Sequence, residues 1–218
     1  MRLPLARYAV RELLLLGGLA LAAMVASAVW FWYAAPVFAV ALVFILAFFR
    51  DPERRAPAGP GLVVAPADGT VIEVAEVEEP RLLATRTHKI GIFMSLASVH
   101  VNRSPCAGCV EAVQHRPGRF FDARRAESSA ANEASDILLT DAEGRPARIL
   151  VRQIAGVLAR RIVTAVAPGQ SLSRGQRIGM VKFGSRAEVY VPVESRFEVA
   201  VAPGQRVRAG ETALGRFT

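Results

Sequence analysis

A glycine followed by a serine interrupts what otherwise reads as one β-strand near the end of the chain. The segment MVKFGSRAEVYVP covers residues 180–192, with apolar residues on both sides of Gly184 and Ser185. Glycine weakens the interior of a strand and usually marks a bulge or a close approach of two backbones. A serine hydroxyl becomes a nucleophile when a base removes its proton. The pair therefore predicts a break in the strand and a candidate nucleophile at Ser185.

Two further residues have the side chains that such a serine needs. Histidine is the usual base, and of the three histidines His100 lies among apolar neighbours in FMSLASVHVNRSP, residues 93–105. Asp68 lies in the turn PADG, and an aspartate near a histidine can fix the tautomer of its imidazole. Taken singly, a histidine is more often structural and Asp-Gly is more often only a turn. Together, Ser185, His100 and Asp68 match the roles of nucleophile, base and orienting carboxylate.

The first 49 residues predict a membrane anchor made of two short helices. Residues 13–49 form a run of 37 without any charged residue or histidine. As one helix this run would extend about 55 Å at about 1.5 Å per residue, but the hydrocarbon core of a bilayer is only about 30 Å thick. A hairpin fits better, with its bend at the aromatic residues 30–33 and Pro36 at the start of the second helix.

The charges around this run predict where its ends lie. Arginines flank both ends of the run, and basic flanks tend to remain cytoplasmic. We therefore expect a protein of the inner cell membrane with its larger part on the cytoplasmic side. The alternative is a secretory signal peptide that ends near Ala26-Ser27-Ala28.

Residues 50–218 predict one domain that is mostly β. Segments rich in Val and Ile alternate with Gly and Pro turns, and only residues 123–135 suggest a helix or a loop. The expected strands are residues 61–64, 70–77, 89–94, 110–114, 137–140, 147–153, 163–165, 177–183, 187–191 and 197–201. The predicted fold class is α+β and mostly β, a sandwich or barrel-sandwich domain behind the hydrophobic hairpin.

An internal repeat supports an alternative function. VAPGQSLSRGQRIG (166–179) matches VAPGQRVRAGETAL (201–214), which places two glycine turns around a short strand in each copy. Duplicated hairpins of this kind occur in the flattened sandwiches of biotinyl and lipoyl carriers. Such a carrier needs an exposed lysine at a hairpin tip, and Lys182 is the candidate. A membrane-tethered biotinyl or lipoyl-like binding module is therefore the alternative interpretation.

Charge and cysteine content narrow the range of partners. The net charge of +8 comes from 25 Arg and 2 Lys, which favours a surface of anionic phospholipid. No basic stripe with stacking aromatic residues is present, so nucleic acid is not expected. Cys106 and Cys109 in CAGC, with His100 and His115 on either side, are conceivable zinc ligands. We expect two small residues at a turn instead, and no metal.

The motifs together resemble the short form of phosphatidylserine decarboxylase. The likeness extends from residue 51 to the end of the chain. It is carried by PADG (66–69), SVHVNRSP (98–105), HRPGRFFDA (115–123), QIAGVLARRIV (153–163) and KFGSR (182–186). Arg116 is an extra residue within HRPG, and CAGC occupies a stretch expected to lack cysteine. These departures leave the core motifs intact.

The resemblance implies a proenzyme that cleaves itself between Gly184 and Ser185. Ser185 Oγ attacks the Gly184 carbonyl, and the resulting ester is eliminated to leave dehydroalanine at position 185. Loss of ammonia on hydrolysis then yields a covalent pyruvoyl group, with no external cofactor. The two products, residues 1–184 and 185–218, remain together as a heterodimer.

The resemblance also implies the reaction of the cleaved protein. The pyruvoyl group forms a Schiff base with the amine of phosphatidylserine, and loss of CO2 gives phosphatidylethanolamine. His100, oriented by Asp68, is the expected base for cleavage and the expected acid for decarboxylation. His115 either binds the substrate or packs near the site. A serine hydrolase that uses Ser185, His100 and Asp68 is the third interpretation.

Overall fold

The computed structural model describes residues 4–141, 147–157, 161–182 and 184–218. The chain forms two compact units, Met1–Glu53 and Arg54–Thr218. The first unit is mainly helical and the second is mainly strands, and each is described by itself.

The first unit is a pair of apolar helices. One helical segment runs from Arg7 to Trp30 and consists of a 3-10 turn (Arg7–Ala9), α1 (Val10–Glu12), a π-helical turn (Leu13–Gly17) and α2 (Gly18–Trp30). A 3-10 turn (Trp32–Ala34) leads into α3 (Ala35–Phe48), and Pro36 lies in its first turn, as predicted. The Ala6 N–H donates to Phe49 O at 2.8 Å, so the two ends of the helical pair lie side by side.

One of the two helical segments has the length and composition of a membrane span. The 24-residue segment Arg7–Trp30 is, among the residues with described structure, the one helix long and apolar enough to cross a bilayer. It is about 36 Å long, and the returning segment Trp32–Phe48 is about 25 Å long at 1.5 Å per residue. Trp30 and Trp32 at the bend are 74% and 78% exposed. The predicted helical hairpin is confirmed, with its aromatic residues at the bend.

The second unit is built from one large sheet and two small ones. Its strands are β1 (Leu62–Val64), β2 (Gly69–Glu79), β3 (Thr85–Met94), β4 (Val101–Arg103), β5 (Gly108–Arg116), β6 (Ala134–Asp141), β7 (Arg148–Ile154), β8 (Ile162–Thr164), β9 (Ser171–Leu172), β10 (Arg177–Val181), β11 (Ser185–Pro192), β12 (Phe197–Val199), β13 (Arg206–Val207) and β14 (Ala213–Phe217). The large sheet has the order β13-β2-β3-β11-β7-β6-β5-β9, and the small sheets are β1-β14-β12 and β4-β10-β8. The predicted mostly-β fold with an N-terminal helical pair is confirmed.

All three sheets share one apolar core, and β11 shows how the sequence selects its inner face. Ala187, Val189 and Val191 alternate along the strand and belong to the core together with Ile90 and Ile92 of β3. Apolar side chains from β10, β12 and β14 pack into the same core. The residues between them on β11 point to the opposite face, because successive strand residues point in opposite directions. A short helix, α4 (Ser128–Ala131), lies within the segment predicted as helix or loop.

The repeat has the same structure in both copies. Gly169 and Gly204 have φ of +85° and +91°, and Gln170 and Gln205 each donate a backbone hydrogen bond of 3.2 Å to the residue three positions earlier. The first copy pairs with β5 through β9, and the second pairs with β2 through β13. The two copies thus occupy opposite edges of the large sheet.

Candidate active site

The predicted break at Gly184-Ser185 lies where the chain changes sheets. β10 pairs with β4 and β8 in a small sheet, whereas β11 begins at Ser185 in the centre of the large sheet. Gly184 connects them with φ of +62°, in the left-handed region that favours glycine. Ser185 is fully buried, and its Oγ lies 3.9 Å from Met94 Sδ. The Gly184-Ser185 bond is therefore held in a constrained turn at the start of a central strand.

A second glycine makes room for the Gly184 carbonyl. The pairing of β11 with β7 ends at Arg186 and Ile154, and Gly156 follows two residues later. A Cβ on Gly156 would lie 1.8 Å from Gly184 O and 3.5 Å from the Ala123 Cβ. Only glycine fits this position, so the QIAG motif contributes the space in which that carbonyl is held.

His100 is fully buried and is oriented by the main chain. Its Nδ1 lies 3.0 Å from Ser98 O, and its own carbonyl accepts a hydrogen bond from the Val181 N–H at 3.3 Å. A carbonyl oxygen can only accept, so Nδ1 must carry the proton of this hydrogen bond. In neutral imidazole the other nitrogen, Nε2, then has the lone pair that a base needs. The second contact ties His100 to the strand that leads into the break.

Asp68 has partners other than His100 in this structure. Both carboxylate oxygens bind Arg54, with Oδ2 2.8 Å from its Nη2, and Oδ1 also accepts the Ala209 N–H at 2.7 Å. The orienting contact expected from Asp68 is made instead by the Ser98 carbonyl. Asp68 lies just before β2 and at the same end of the large sheet as Ser185, because Thr70 pairs with Phe93 of β3 and Ser185 pairs with the next residue, Met94. A role of Asp68 in the reaction stays a prediction.

A chain of buried polar side chains leads away from Ser185 on the core face. Asn102 Nδ2 lies 3.6 Å from Met94 Sδ, the sulfur that Ser185 Oγ also contacts. Asn102 Oδ1 accepts a hydrogen bond of 2.8 Å from Gln153 Nε2, and Gln153 Oε1 accepts one of 3.0 Å from Thr164 Oγ1. Asn102 and Gln153 are fully buried. Since each amide is oriented by the next, the core side of the break has fixed hydrogen-bonding geometry.

A balanced cluster of four charges lies on the other face of β11. Arg186, the residue after Ser185, is buried and contacts Glu73, and its Nη2 is 2.7 Å from Glu188 Oε1. Lys89 Nζ lies 3.1 Å from Glu73 Oε2 and 3.3 Å from Glu188 Oε1. Two cations and two carboxylates thus connect β11 to β2 and β3. The cluster holds the first residues of β11 independently of the peptide bond before Ser185.

The second carboxylate oxygen of Glu188 connects the charge cluster to helix α4. Glu188 Oε2 accepts hydrogen bonds from Tyr190 Oη at 2.6 Å and from Ser129 Oγ at 2.8 Å. Burial raises the pKa of Tyr190, and the Glu188 carboxylate raises it further. Tyr190 therefore remains protonated and donates. Because Ser129 belongs to α4, this helix is held against β11.

A second ion cluster on this face involves Glu79 and Arg152. Arg152 Nε donates to Asp136 Oδ1 at 2.6 Å, and Arg152 Nη2 lies 3.3 Å from Glu79 Oε1. Glu79 Oε2 accepts backbone N–H groups from Leu82 and Leu83 at 2.8 and 2.9 Å. Burial raises the pKa of Glu79, but the N–H groups of Leu83 and Leu82 and the charge of Arg152 outweigh it, and the net pKa is lowered. Glu79 is thus a carboxylate that the fold holds ionised.

A cavity of about 220 Å³ opens beside Gly184. Arg124 donates to Asp122 at 2.6 Å, and these hydrogen bonds lower the pKa of Asp122 to about 2. Among the described residues, the wall of the cavity therefore has one cation and one carboxylate and is otherwise largely apolar. Its lining residues are Phe93, Ser95, Leu96, Asp122, Ala123, Arg124, Val157 and Gly184.

Other residues singled out in the sequence lie elsewhere. His115 is exposed on β5, three strands from Ala187 of β11, a separation of about 14 Å at about 4.8 Å per strand. The structure therefore does not bring His115 to the break, and its binding role stays a prediction. Lys182 is only 4% exposed, which contradicts the exposed tip that a carrier lysine requires. Cys106 is buried, whereas Cys109 is exposed on β5.

Three residues of the site were not assigned a role from the sequence. Gly156 was part of a recognised motif, but only its contact with the Gly184 carbonyl reveals why it is glycine. Gln153 ends a predicted strand, whereas Asn102 lies in a motif for which no strand was predicted, and their contact joins β4 to β7 across 51 positions of sequence. In the sequence, each is an uncharged polar residue among apolar neighbours. This pattern predicts a buried side chain with a hydrogen-bond partner, but it does not show which residue that partner is.

Comparison with known proteins shows the family. A family model described as phosphatidylserine decarboxylase matches residues 41–215. The chain belongs to the phosphatidylserine decarboxylase family. It is 47% identical to the phosphatidylserine decarboxylase proenzyme of Symbiobacterium thermophilum over 85% of each chain. It is 43% identical to that of Solidesulfovibrio magneticus over 93% of this chain and 92% of the relative. It is also 45% identical to that of Trichlorobacter lovleyi over 94% of this chain and 89% of the relative.

Membership of the phosphatidylserine decarboxylase family confirms the resemblance seen in the motifs. The names of these relatives describe an enzyme that is made as a proenzyme and acts on a phospholipid. The family therefore supports decarboxylation of phosphatidylserine, and an apolar N-terminal helix suited to a membrane anchor agrees with a lipid substrate.

Proposed function

We propose that this protein converts phosphatidylserine to phosphatidylethanolamine with a pyruvoyl group that it makes from Ser185 by cleaving the Gly184-Ser185 bond. The observation that carries the proposal is the geometry of that bond. Gly184 has φ of +62°, its carbonyl lies in a space that only a glycine at position 156 leaves open, and Ser185 follows at the start of a central strand. The relatives, named as proenzymes, supply the chemical context.

In the cleavage step each neighbouring residue has a defined task. Ser185 Oγ attacks the Gly184 carbonyl, and His100 Nε2 accepts the hydroxyl proton. The left-handed conformation of Gly184 and the close approach of Gly156 leave few alternative positions for the attacked carbonyl. Ester formation, elimination and loss of ammonia then leave the pyruvoyl group at position 185. No metal and no added cofactor enter these steps.

The cleaved protein is expected to remain a heterodimer of residues 1–184 and 185–218. β11 pairs with β3 along its whole length from Ser185 to Pro192 and with β7 from Arg186 to Tyr190. The charge cluster around Arg186 adds ion pairs on its outer face. Since none of these contacts needs the broken bond, position 185 stays in place after cleavage.

For decarboxylation the cavity beside Gly184 is the proposed headgroup site. A pyruvoyl group at position 185 would supply an electron sink for the electron pair that remains on the substrate carbon when CO2 leaves. Arg124 and Asp122 present opposite charges at the cavity, which suits a headgroup that carries both an ammonium group and anionic groups. His100 is the proposed acid that returns a proton. His115 remains a candidate for a contact with the substrate at a greater distance from Ser185.

The two alternatives fit the structure less well. A biotinyl or lipoyl-like module requires an exposed Lys182, and Lys182 is buried. A serine hydrolase requires an acyl substrate to reach Ser185, which is fully buried in the uncut chain. The proposed location is the inner membrane with the larger unit on the cytoplasmic side, because both arginine-rich flanks of the hairpin are expected there.

Intact-mass measurement of purified protein tests the proposal. We expect two chains that divide between residues 184 and 185, the smaller one lighter by one ammonia than simple hydrolysis would give. Ser185→Ala should give a single chain of 218 residues without decarboxylase activity. A single uncut chain from an active preparation, or a free amino group on residue 185, would refute the proposal.

A further inference from the structure

Two exposed apolar side chains of the second unit lie at the mouth of the cavity. Among the described residues between 54 and 218, the large apolar side chains that are exposed are Leu96 and Val157, at 41% and 53%. Both of them line the cavity beside Gly184. Single exposed apolar residues are common on protein surfaces. Here, however, the two come from different loops, one after β3 and one after β7, and meet at the same opening.

Arginines lie at this opening and next to it in the sequence. Arg124 lines the cavity, and its neighbour Arg125 is exposed. Both belong to the segment 115–125, which has four arginines and one aspartate and therefore a net charge of +3 with its histidine neutral. Apolar side chains beside arginines are typical of surfaces that lie in the headgroup region of an anionic membrane.

We propose that Leu96 and Val157, called here the mouth rim, insert into the surface of an anionic phospholipid bilayer. This inference rests on the proposed function, because a lipid headgroup that enters the cavity has acyl chains that remain outside it. Moving those chains through water is unfavourable in proportion to the apolar area exposed. With the mouth rim in the bilayer, a headgroup reaches Gly184 and Ser185 while its acyl chains stay in the membrane.

A bilayer fits this surface better than a second copy of the chain does. A stable protein interface buries roughly 1,000 Å² or more and usually has a fully apolar centre. Two side chains with arginines beside them supply far less than that area. Insertion into a membrane surface needs only a few apolar side chains when cations nearby bind anionic lipid.

Fluorescence quenching at the mouth rim tests the proposal on the full-length protein in vesicles. Leu96→Cys and Val157→Cys are each combined with Cys109→Ser, so that the new cysteine is labelled with an environment-sensitive dye. The remaining native cysteine, Cys106, is buried and therefore does not react. The matched control is the dye on the native, exposed Cys109. Vesicles contain phosphatidylcholine with or without phosphatidylglycerol, and the quenchers are doxyl-labelled lipid and aqueous iodide.

We expect lipid quenching and a blue shift at positions 96 and 157, strongest with phosphatidylglycerol, while the dye at 109 is quenched by iodide alone. Equal lipid quenching at all three positions would overturn the proposal, because the anchor alone would explain it. Iodide access at 96 and 157 would also overturn it, as would protection from both quenchers, which indicates a second copy. The same measurement on Ser185→Ala, whose chain stays whole, separates this result from the success or failure of the pyruvoyl mechanism.

Discussion

Replacing Gly156 by alanine should slow self-cleavage about 100-fold while leaving the fold largely intact. The new Cβ would lie 1.8 Å from Gly184 O, whereas real Cβ contacts are essentially never below 3.0 Å. One of the two groups must therefore move by at least about 1.2 Å. A displacement of about 1 Å in a reacting group reduces rates by about 100-fold. The methyl group also adds roughly 1–3 kcal/mol of overpacking.

The assay is the rate at which freshly synthesised protein divides into two chains. We expect Gly156→Ala to cleave about 100-fold more slowly than the unaltered chain. Gly108→Ala is the matched control, because its Cβ would lie 2.2 Å from Thr140 O, a comparable clash remote from the break. Both variants should lose stability to a similar degree in urea unfolding, and only Gly156→Ala should show the slowed cleavage.

Two outcomes would refute this reasoning. Cleavage of Gly156→Ala at the unaltered rate would show that the position of the Gly184 carbonyl does not limit the reaction. Equal slowing in Gly108→Ala would show that general loss of stability, and not local displacement, explains the effect.

Three further predictions concern charge and proton transfer. Glu188→Gln removes the buried carboxylate that Arg186 and Lys89 share, and it should lower the free energy of unfolding by about 3 kcal/mol in urea titrations. The control Glu76→Gln removes an exposed ion pair and should change that free energy by less than about 1 kcal/mol. His100→Gln should slow cleavage by about 100-fold or more on denaturing gels, and unchanged cleavage would exclude His100 as the base. Because folding lowers the pKa of Glu79, its ionised carboxylate stabilises the fold at pH values above its ordinary pKa of 4.5. This stabilisation should be lost as the pH falls through the lowered pKa of the folded state. The urea midpoint of Glu79→Gln should therefore change less between neutral and acidic pH than that of the unaltered protein.

The sequence was sufficient for the features that depend on local pattern. The uncharged run of residues 13–49 predicted two helices because its length exceeds one membrane span, and alternating or continuous Val and Ile predicted ten strands that the structure contains. Strands β4, β9, β13 and β14 were missed, since they are short or contain the polar residues of motifs. The Gly184-Ser185 break was visible because glycine and serine contrast with the apolar residues around them.

Tertiary structure decided which of the distant residues meet. The sequence placed Asp68 beside His100 by analogy with a triad, but in the structure Arg54 and the Ala209 N–H bind Asp68, while a carbonyl two residues away orients His100. Local spacing does not encode these choices, because they depend on which turns meet at one end of the sheet. The same holds for Gly156, whose missing side chain matters only because strand pairing brings it to the Gly184 carbonyl from 28 positions away in the chain.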